Sequence, residues 1–198
     1  MAGRRDTLIL FVKEPRPGRV KTRLAADIGR IEACWWFRHQ TRRLVRLLGR
    51  DPRWRTVLAV SPDSARTSRA WPPGIARRPQ GLGNLGERMA RALRAVNGRA
   101  VLVGADIPGV TPAHVARAFA ALGRHEVVFG PAEDGGYWLI GLRNGGRAAP
   151  AAMLRGVRWS GPHALADSAA SLAPLAIGHV DRLADVDTAA DLTSAQTS

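Results

Sequence analysis

Short apolar runs rich in β-branched residues recur along this chain with amphipathic helical stretches between them, and that alternation admits few folds. Thr7 to Val12 is the first run; it ends in Lys13, Pro15, Pro17 and Gly18, as a buried strand does on entering a loop. Thr56 to Val60, Ala100 to Gly104, Glu126 to Phe129, Tyr137 to Leu142 and Leu175 to Val180 repeat the pattern. Between them, Ile31 to Leu48 sets Cys34, Trp35, Phe37, Leu44, Val45 and Leu48 at helical spacing and stops at Gly49. Asn84, with Glu87 three residues on, opens another helix that carries Met89, Leu93 and Val96 to Asn97-Gly98. Pro112 to Leu122 reads as a further helix. Right-handed crossovers then give a doubly wound α/β sheet, mainly parallel, with one antiparallel pair around Gly130 to Tyr137.

A length of 198 residues with 45% hydrophobic content suits one domain, with a core over 7–192 and polar, frayed ends at Met1 to Arg5 and Thr193 to Ser198. No apolar run reaches the roughly 18 residues of a membrane span, and Thr7 to Val12 is too short for a signal-peptide core, so a cytoplasmic protein with no membrane partner is expected. The one cysteine, Cys34, excludes an intramolecular disulfide and a cysteine metal cluster, and reads as a packing residue.

The net charge of +14 raises nucleic-acid binding as a possibility, but the arginines are spread over every helix and many loops, so no nucleic-acid partner is expected. Of 30 basic residues only Lys13 and Lys21 are lysines, and both fall in the window 13–23. A compact ammonium serves phosphate as a point charge where guanidinium offers a planar fork, which is a reason for a site to keep lysine. Chance retention is the alternative.

In a doubly wound sheet the loops leaving strand carboxyl ends gather on one edge, where ligands bind, and the unusual loops here leave that edge. Lys13 to Leu24 is stiffened by Pro15 and Pro17 and turned by Gly18; Lys13, Arg16, Arg19, Lys21 and Arg23 make it either an anion cradle or a solvated basic turn. Gln80 to Met89 matches G-x-G-x-x-G at Gly81, Gly83 and Gly86, but no apolar strand precedes it. It therefore shapes a nucleotide or sugar pocket with Gly83, Asn84 and Arg88, or merely caps a helix. Asp106, directly after a strand, either caps a turn or holds a divalent cation, since Mg2+ needs only one or two carboxylates beside substrate phosphates. Gly130 to Trp138 contains Asp-Gly-Gly: a plain hairpin turn, or Glu133 and Asp134 presented to an acceptor beside Tyr137. Late in the chain Thr188 and Asp191 resemble a capping box, which leaves Asp187 available as a second metal ligand if the segment folds back. The five histidines lack ligand spacing, and neither a G-x-S-x-G elbow nor a P-loop is present.

Taken together, Lys13–Leu24, Gly83–Met89, Gly104–Pro108, Gly130–Leu142, Trp159-Ser160 and Asp185–Leu192 resemble a bacterial family of small glycosyltransferase-A-fold proteins. These are nucleotide-diphospho-sugar transferases, some associated with arsenosugar biosynthesis, and the resemblance spans about Thr7 to Leu192. It implies a three-layer α/β/α sandwich of about seven strands, with Asp106 and Asp187 in the places of the two metal-binding aspartates. Lys21-Thr22-Arg23-Leu24 is also similar to a Lys-Ser-Arg-Leu element of phospholactate guanylyltransferases, which share the fold. The chain departs from the pattern at Asn84, where Asp is expected, and at Gly161-Pro162 after Trp159-Ser160.

The expectation is a transferase using Mg2+ or Mn2+ on Asp106 and Asp187, a nucleotide or nucleotide-sugar and a small-molecule acceptor. Lys13, Gly18, Arg19, Lys21, Thr22, Arg23, Gly83, Asn84 and Arg88 are assigned to nucleotide and phosphate. Gly135, Gly136, Tyr137 and Trp159 are assigned to sugar or acceptor, and Asp106, Glu133, Asp134 and Lys21 to catalysis. Glycosyl transfer is the first reading and nucleotidyl transfer to a phosphorylated acceptor the second; a non-catalytic basic nucleic-acid-binding or regulatory protein is remote.

Overall fold

The structure is a computed structural model that describes residues 6–146 and 149–192; the two ends expected to fray, 1–5 and 193–198, lie outside the described residues. The described residues include seven strands: β1 (Thr7–Lys13), β2 (Arg55–Ser61), β3 (Ala76–Pro79), β4 (Ala100–Gly104), β5 (Val127–Pro131), β6 (Tyr137–Leu142) and β7 (Ile177–His179). Among the described residues five α-helices accompany them, α1 (Thr22–Ile28), α2 (Arg30–Gly49), α3 (Leu85–Arg94), α4 (Pro112–Ala121) and α5 (Ala164–Ala170), with a 3-10 turn at Asp63–Thr67. The strands form one sheet in the order β3-β2-β1-β4-β6-β5-β7. Every pairing is parallel except those of β6, which runs against both β4 and β5.

Side-chain alternation along the strands divides the core into two layers. From β1, Leu8, Leu10 and Val12 point to one face, where they meet Phe37, Leu44, Val45 and Leu48 of α2 and Val115, Ala118 and Phe119 of α4. Ile9 points to the other face, toward Met89, Ala90 and Leu93 of α3 and Ala164 of α5. The result is the expected three-layer sandwich. Among the described residues no helix is long and apolar enough to cross a membrane.

Several elements depart from expectation for identifiable reasons. The strand β3 has the sequence Ala-Arg-Arg-Pro, with no apolar run, because it is an edge strand paired only with β2 and its side chains are mostly exposed. The helices α1 and α5 are seven residues each, too short to display a periodicity. The last strand is shorter than Leu175 to Val180, covering Ile177–His179. In α2, Cys34 and Phe37 are buried as expected, but Trp35 is 64% exposed and stacks on His39 with ring centroids 3.8 Å apart. Trp35 sits about 100° around the axis from Cys34, on the side away from Phe37, Thr41 and Leu48, and so falls off the buried face. The α3 cap forms as read: Asn84 Oδ1 accepts the Glu87 N–H at 3.0 Å and Glu87 Oε2 accepts the Asn84 N–H at 2.9 Å.

The winding positions the site. The chain runs outward from β1 through β2 to β3, and α3 then returns it to β4 on the opposite side of β1, so the carboxyl ends of β1 and β4 adjoin where the winding reverses. Ligands of open α/β sheets bind at such a reversal. Lys13 ends β1 there, and Asp106 follows β4 by two residues.

Leu10 lies at the centre of this sheet and is fully buried. Leu10→Ala is expected to lower the unfolding free energy by about 2–5 kcal/mol, read from the urea midpoint at unchanged slope. Leu82→Ala, at a side chain 88% exposed, is expected to stay within about 0.5 kcal/mol; equal losses in the two variants would contradict the core assignment.

Candidate functional site

A cleft of about 620 Å3 opens at this edge, lined by residues of the β1 loop, the ends of β4 and β6, the start of α3 and the carboxyl-terminal segment. After β1 the chain turns at Gly18, with φ +71°, and Lys21 adopts a left-handed conformation, φ 46° and ψ 52°, immediately before α1. That conformation costs a non-glycine residue about 1 kcal/mol. It accompanies a long side chain directed inward, of which only 6% is exposed.

The Lys21 ammonium lies between two carboxylates from distant parts of the chain. Nζ donates to Asp106 Oδ2 at 3.2 Å and to Asp187 Oδ1 at 2.8 Å. Arg23 Nη1 donates to the other oxygen, Asp187 Oδ2, at 3.2 Å. Burial pulls the Lys21 pKa down, but Asp106 and then Asp187 outweigh it and raise it overall, so the side chain is a cation. Gly104 keeps Asp106 in place by lacking a side chain: a Cβ there would stand 3.0 Å from Asp106 Oδ1.

Asp187 reaches the site because the carboxyl-terminal segment folds back onto α1. Asp191 Oδ2 accepts the N–H groups of Asp187 at 2.9 Å and Thr188 at 2.7 Å, and the Thr188 hydroxyl at 2.8 Å. The Asp187 N–H first, then the Thr188 hydroxyl, hold the Asp191 carboxyl below its ordinary pKa. From the other side, Asp27 of α1 accepts the Ala189 N–H at 3.0 Å. The capping box read from Thr188 and Asp191 is therefore what delivers Asp187.

Of the residues selected from sequence, Lys13, Arg19, Lys21, Thr22, Arg23, Arg88, Asp106, Asp134, Gly136, Tyr137, Trp159 and Asp187 line this cleft. Gly18, Gly83, Asn84, Glu133 and Gly135 are not among its lining residues. Gly18 turns the loop, and Gly83 and Asn84 serve the helix cap, a Cβ at Gly83 running into Glu87. Glu133 is exposed at the hairpin tip. Gly135, with φ +83°, lets the turn pass the Pro162 backbone, which a Cβ would approach to 2.5 Å. Asp134 closes the turn by accepting the Gly136 N–H at 2.8 Å through Oδ1.

Three further residues matter. Gln80, 2% exposed, donates to Val12 O at 3.0 Å and Ala59 O at 2.9 Å, tying β1 to β2, while its Oε1 accepts from Arg88 Nη1 at 3.1 Å and so aims that guanidinium. Gly86 admits the aromatic wall: a Cβ would run into the Leu154 carbonyl and stand 2.9 Å from Trp159 Cζ2. Asp185 also lines the cleft, its pKa raised by burial, then by Asp187 and Asp134, with Lys21 opposing. Its sequence signal was Asp-Val-Asp: in an extended segment Asp185 and Asp187 face one way while Val186, 2% exposed, faces the core. On the wall, the Tyr137 ring meets Trp159 edge-on, with centroids 6.4 Å apart. The phenol accepts from the Ser168 hydroxyl at 3.2 Å, and burial pushes its pKa up, so Tyr137 offers its ring and not a base.

Two carboxylates that converge on one ammonium are a hard oxygen pair, suited to Mg2+ or Mn2+ if substrate phosphates complete the shell. Among the described residues no group of three or more His, Cys, Asp or Glu is placed to hold a metal, so the two aspartates are no complete cage by themselves.

Comparison with known proteins agrees with the fold. The family model described as "Uncharacterized protein conserved in bacteria (DUF2064)" matches residues 44–161. No curated protein gives a significant sequence match. A solved structure from Desulfovibrio desulfuricans G20, carrying the provisional name nucleotide-diphospho-sugar transferase, is 29% identical with a TM-score of 0.79, over 92% of this chain and 82% of that one. Rv0371c from Mycobacterium tuberculosis H37Rv, solved as a complex with manganese, is 18% identical with a TM-score of 0.57, over 98% of each chain. The 4-diphosphocytidyl-2C-methyl-D-erythritol synthase of Anaerococcus prevotii is 10% identical with a TM-score of 0.62, again over 98% of each chain. The fold is that of the nucleotide-diphospho-sugar transferases.

Asp191→Ala removes the acceptor for two amides and a hydroxyl. Hydrogen exchange at the Asp187 and Thr188 amides is expected to accelerate about tenfold while exchange in β1 is unchanged; unaltered exchange would show that Asp191 does not hold Asp187.

Proposed function

The chain belongs to the DUF2064 family of bacterial proteins, and from that footing we propose that it is a divalent-cation-dependent transferase that uses a nucleotide-sugar donor and a small-molecule acceptor. The observation that carries this reading is the convergence of Lys21, Asp106 and Asp187 in one cleft at the strand ends. A volume of about 620 Å3 is within the range that takes a ligand of this size. The provisional name of the Desulfovibrio structure supports the same class.

In this reading Asp106 and Asp187 would hold Mg2+ or Mn2+, which would supply charge neutralisation for a diphosphate. Lys13, Arg19, Lys21, Thr22, Arg23 and Arg88 steady the phosphate oxygens, with Gln80 aiming Arg88. Fixed cations stabilise developing charge without reorganising during the reaction. Tyr137 and Trp159 form the wall for sugar or acceptor. Asp134, with Oδ1 spent on its own turn, offers Oδ2 to the acceptor hydroxyl. The acceptor oxygen attacks the anomeric carbon, its proton passes to Asp134, and the bond from that carbon to the diphosphate oxygen breaks. The nucleoside diphosphate departs with the electron pair.

The likeness of Lys21-Thr22-Arg23-Leu24 to the guanylyltransferase element favours a second reading. There a phosphorylated acceptor attacks the α-phosphorus of a nucleoside triphosphate, the bond to the bridging oxygen breaks, and pyrophosphate leaves. Product analysis separates the two: nucleoside diphosphate from a nucleotide-sugar, or pyrophosphate from a triphosphate.

In a thermal-shift panel, nucleoside diphosphates, triphosphates and nucleotide-sugars are expected to raise Tm only with Mg2+ or Mn2+ present. A ligand at a hundredfold excess over its Kd stabilises by about 2.7 kcal/mol, a shift of several degrees. Asp106→Ala is expected to abolish the rise, and equal shifts in wild type and variant would defeat the metal assignment.

A further inference from the structure

The ammonium of Lys21 stands in the gap between the two carboxylates assigned to the cation. Both oxygens of Asp187 are already engaged, one by Lys21 and one by Arg23. A divalent ion seated between Asp106 Oδ2 and Asp187 Oδ1 therefore takes the place of an ammonium that is 6% exposed and hydrogen-bonded on both sides. The backbone at Lys21 is fixed as the cap of α1, but its four-carbon stem can swing, and the cleft it would enter is where the phosphates are assigned.

From this we infer that Lys21 is an internal counter-cation that keeps the metal gap closed until a phosphate-bearing ligand draws it away, so that metal and nucleotide bind cooperatively. The inference rests on the metal assignment made above. Its physical basis is exchange: with no phosphate present, the ammonium has no comparable anion to move to, and metal entry sacrifices two charged hydrogen bonds. A nucleotide diphosphate offers the ammonium new oxygens and completes the ion's shell, so each ligand removes an obstacle to the other. By linkage the coupling is reciprocal. Removal of Lys21 should then improve binding of the metal alone and weaken the coupling.

Simple charge deletion predicts some gain in metal affinity from losing any nearby cation. Arg23 supplies the control. It pairs with Asp187 but makes no bond to Asp106, and 65% of its side chain is exposed. Blocking by occupancy belongs to Lys21; long-range charge belongs to both.

The test is Mn2+ binding to the full chain, followed by loss of the free-ion EPR signal with and without a nucleoside diphosphate, in wild type, Lys21→Met and Arg23→Met. Lys21→Met is expected to bind Mn2+ alone at least about tenfold more tightly than wild type and to lose most of the enhancement given by nucleotide. Arg23→Met is expected to change the affinity much less. Reductive methylation of the wild-type protein needs no variant: without ligands the exposed Lys13 should react freely and Lys21, paired on both sides, should be protected. Equal Mn2+ affinity in wild type and Lys21→Met, equal gains in both variants, or a Lys21 that reacts freely without ligands would overturn the inference and leave the metal site standing. Absence of Mn2+ binding in every protein, with nucleotide present, would overturn the metal assignment and the inference with it.

Discussion

A buried ammonium must have partners: an uncompensated charge in a protein interior costs on the order of several kcal/mol, and Lys21 finds its partners in Asp106 and Asp187. These residues come from the loop after β1, the loop after β4 and the carboxyl-terminal segment, separated by 85 and 166 positions along the chain. Only a fold that brings those three segments to one edge can satisfy the lysine. The reversal of winding between β1 and β4 places the first two side by side, and the Asp191 cap with its Asp27 anchor brings the third. Because Asp106 and Asp187 keep 41% and 33% of their side chains exposed, the cluster faces the cleft and is open to ligands.

The rest of the cleft is organised by side chains that act on other side chains. Gln80 joins β1 to β2 and aims Arg88. Gly86 and Gly104 act through what they lack, one admitting Trp159 against α3 and the other leaving room for Asp106. Lys13, Arg19, Lys21, Arg23 and Arg88 bring basic groups to the lining, and the Tyr137–Trp159 pair adds an aromatic wall. A ligand with a charged diphosphate and a less charged ring system matches that division.

Much of this was legible in the sequence because the central strands are buried on both faces and read as continuous apolar runs. For the same reason β3 was invisible: an edge strand of Ala-Arg-Arg-Pro needs no apolar residues. The two lysines marked the loop after β1 as unusual, but the partners of Lys21 lie too far along the chain for local patterns to reveal. The Gly-x-Gly-x-x-Gly spacing divides between unrelated duties, with Gly83 making room for the capping Glu87 and Gly86 for helix packing. Glu133 and Asp134 are neighbours on a turn, and sequence could not say which would face the cleft; Asp134 does, while Glu133 is exposed at the tip. Asp185 by itself carries no local signal; its place in the cleft follows from the burial of Val186, which turns the flanking acids the other way.

The most direct measurement is a crystal structure of the chain with Mn2+ and a nucleoside diphosphate, with the ion located by its anomalous scattering. The ion is expected between the carboxylates of Asp106 and Asp187, with Lys21 Nζ moved from both onto a phosphate oxygen. An ion bound away from these aspartates, with Lys21 still bridging them, would contradict the site at its foundation.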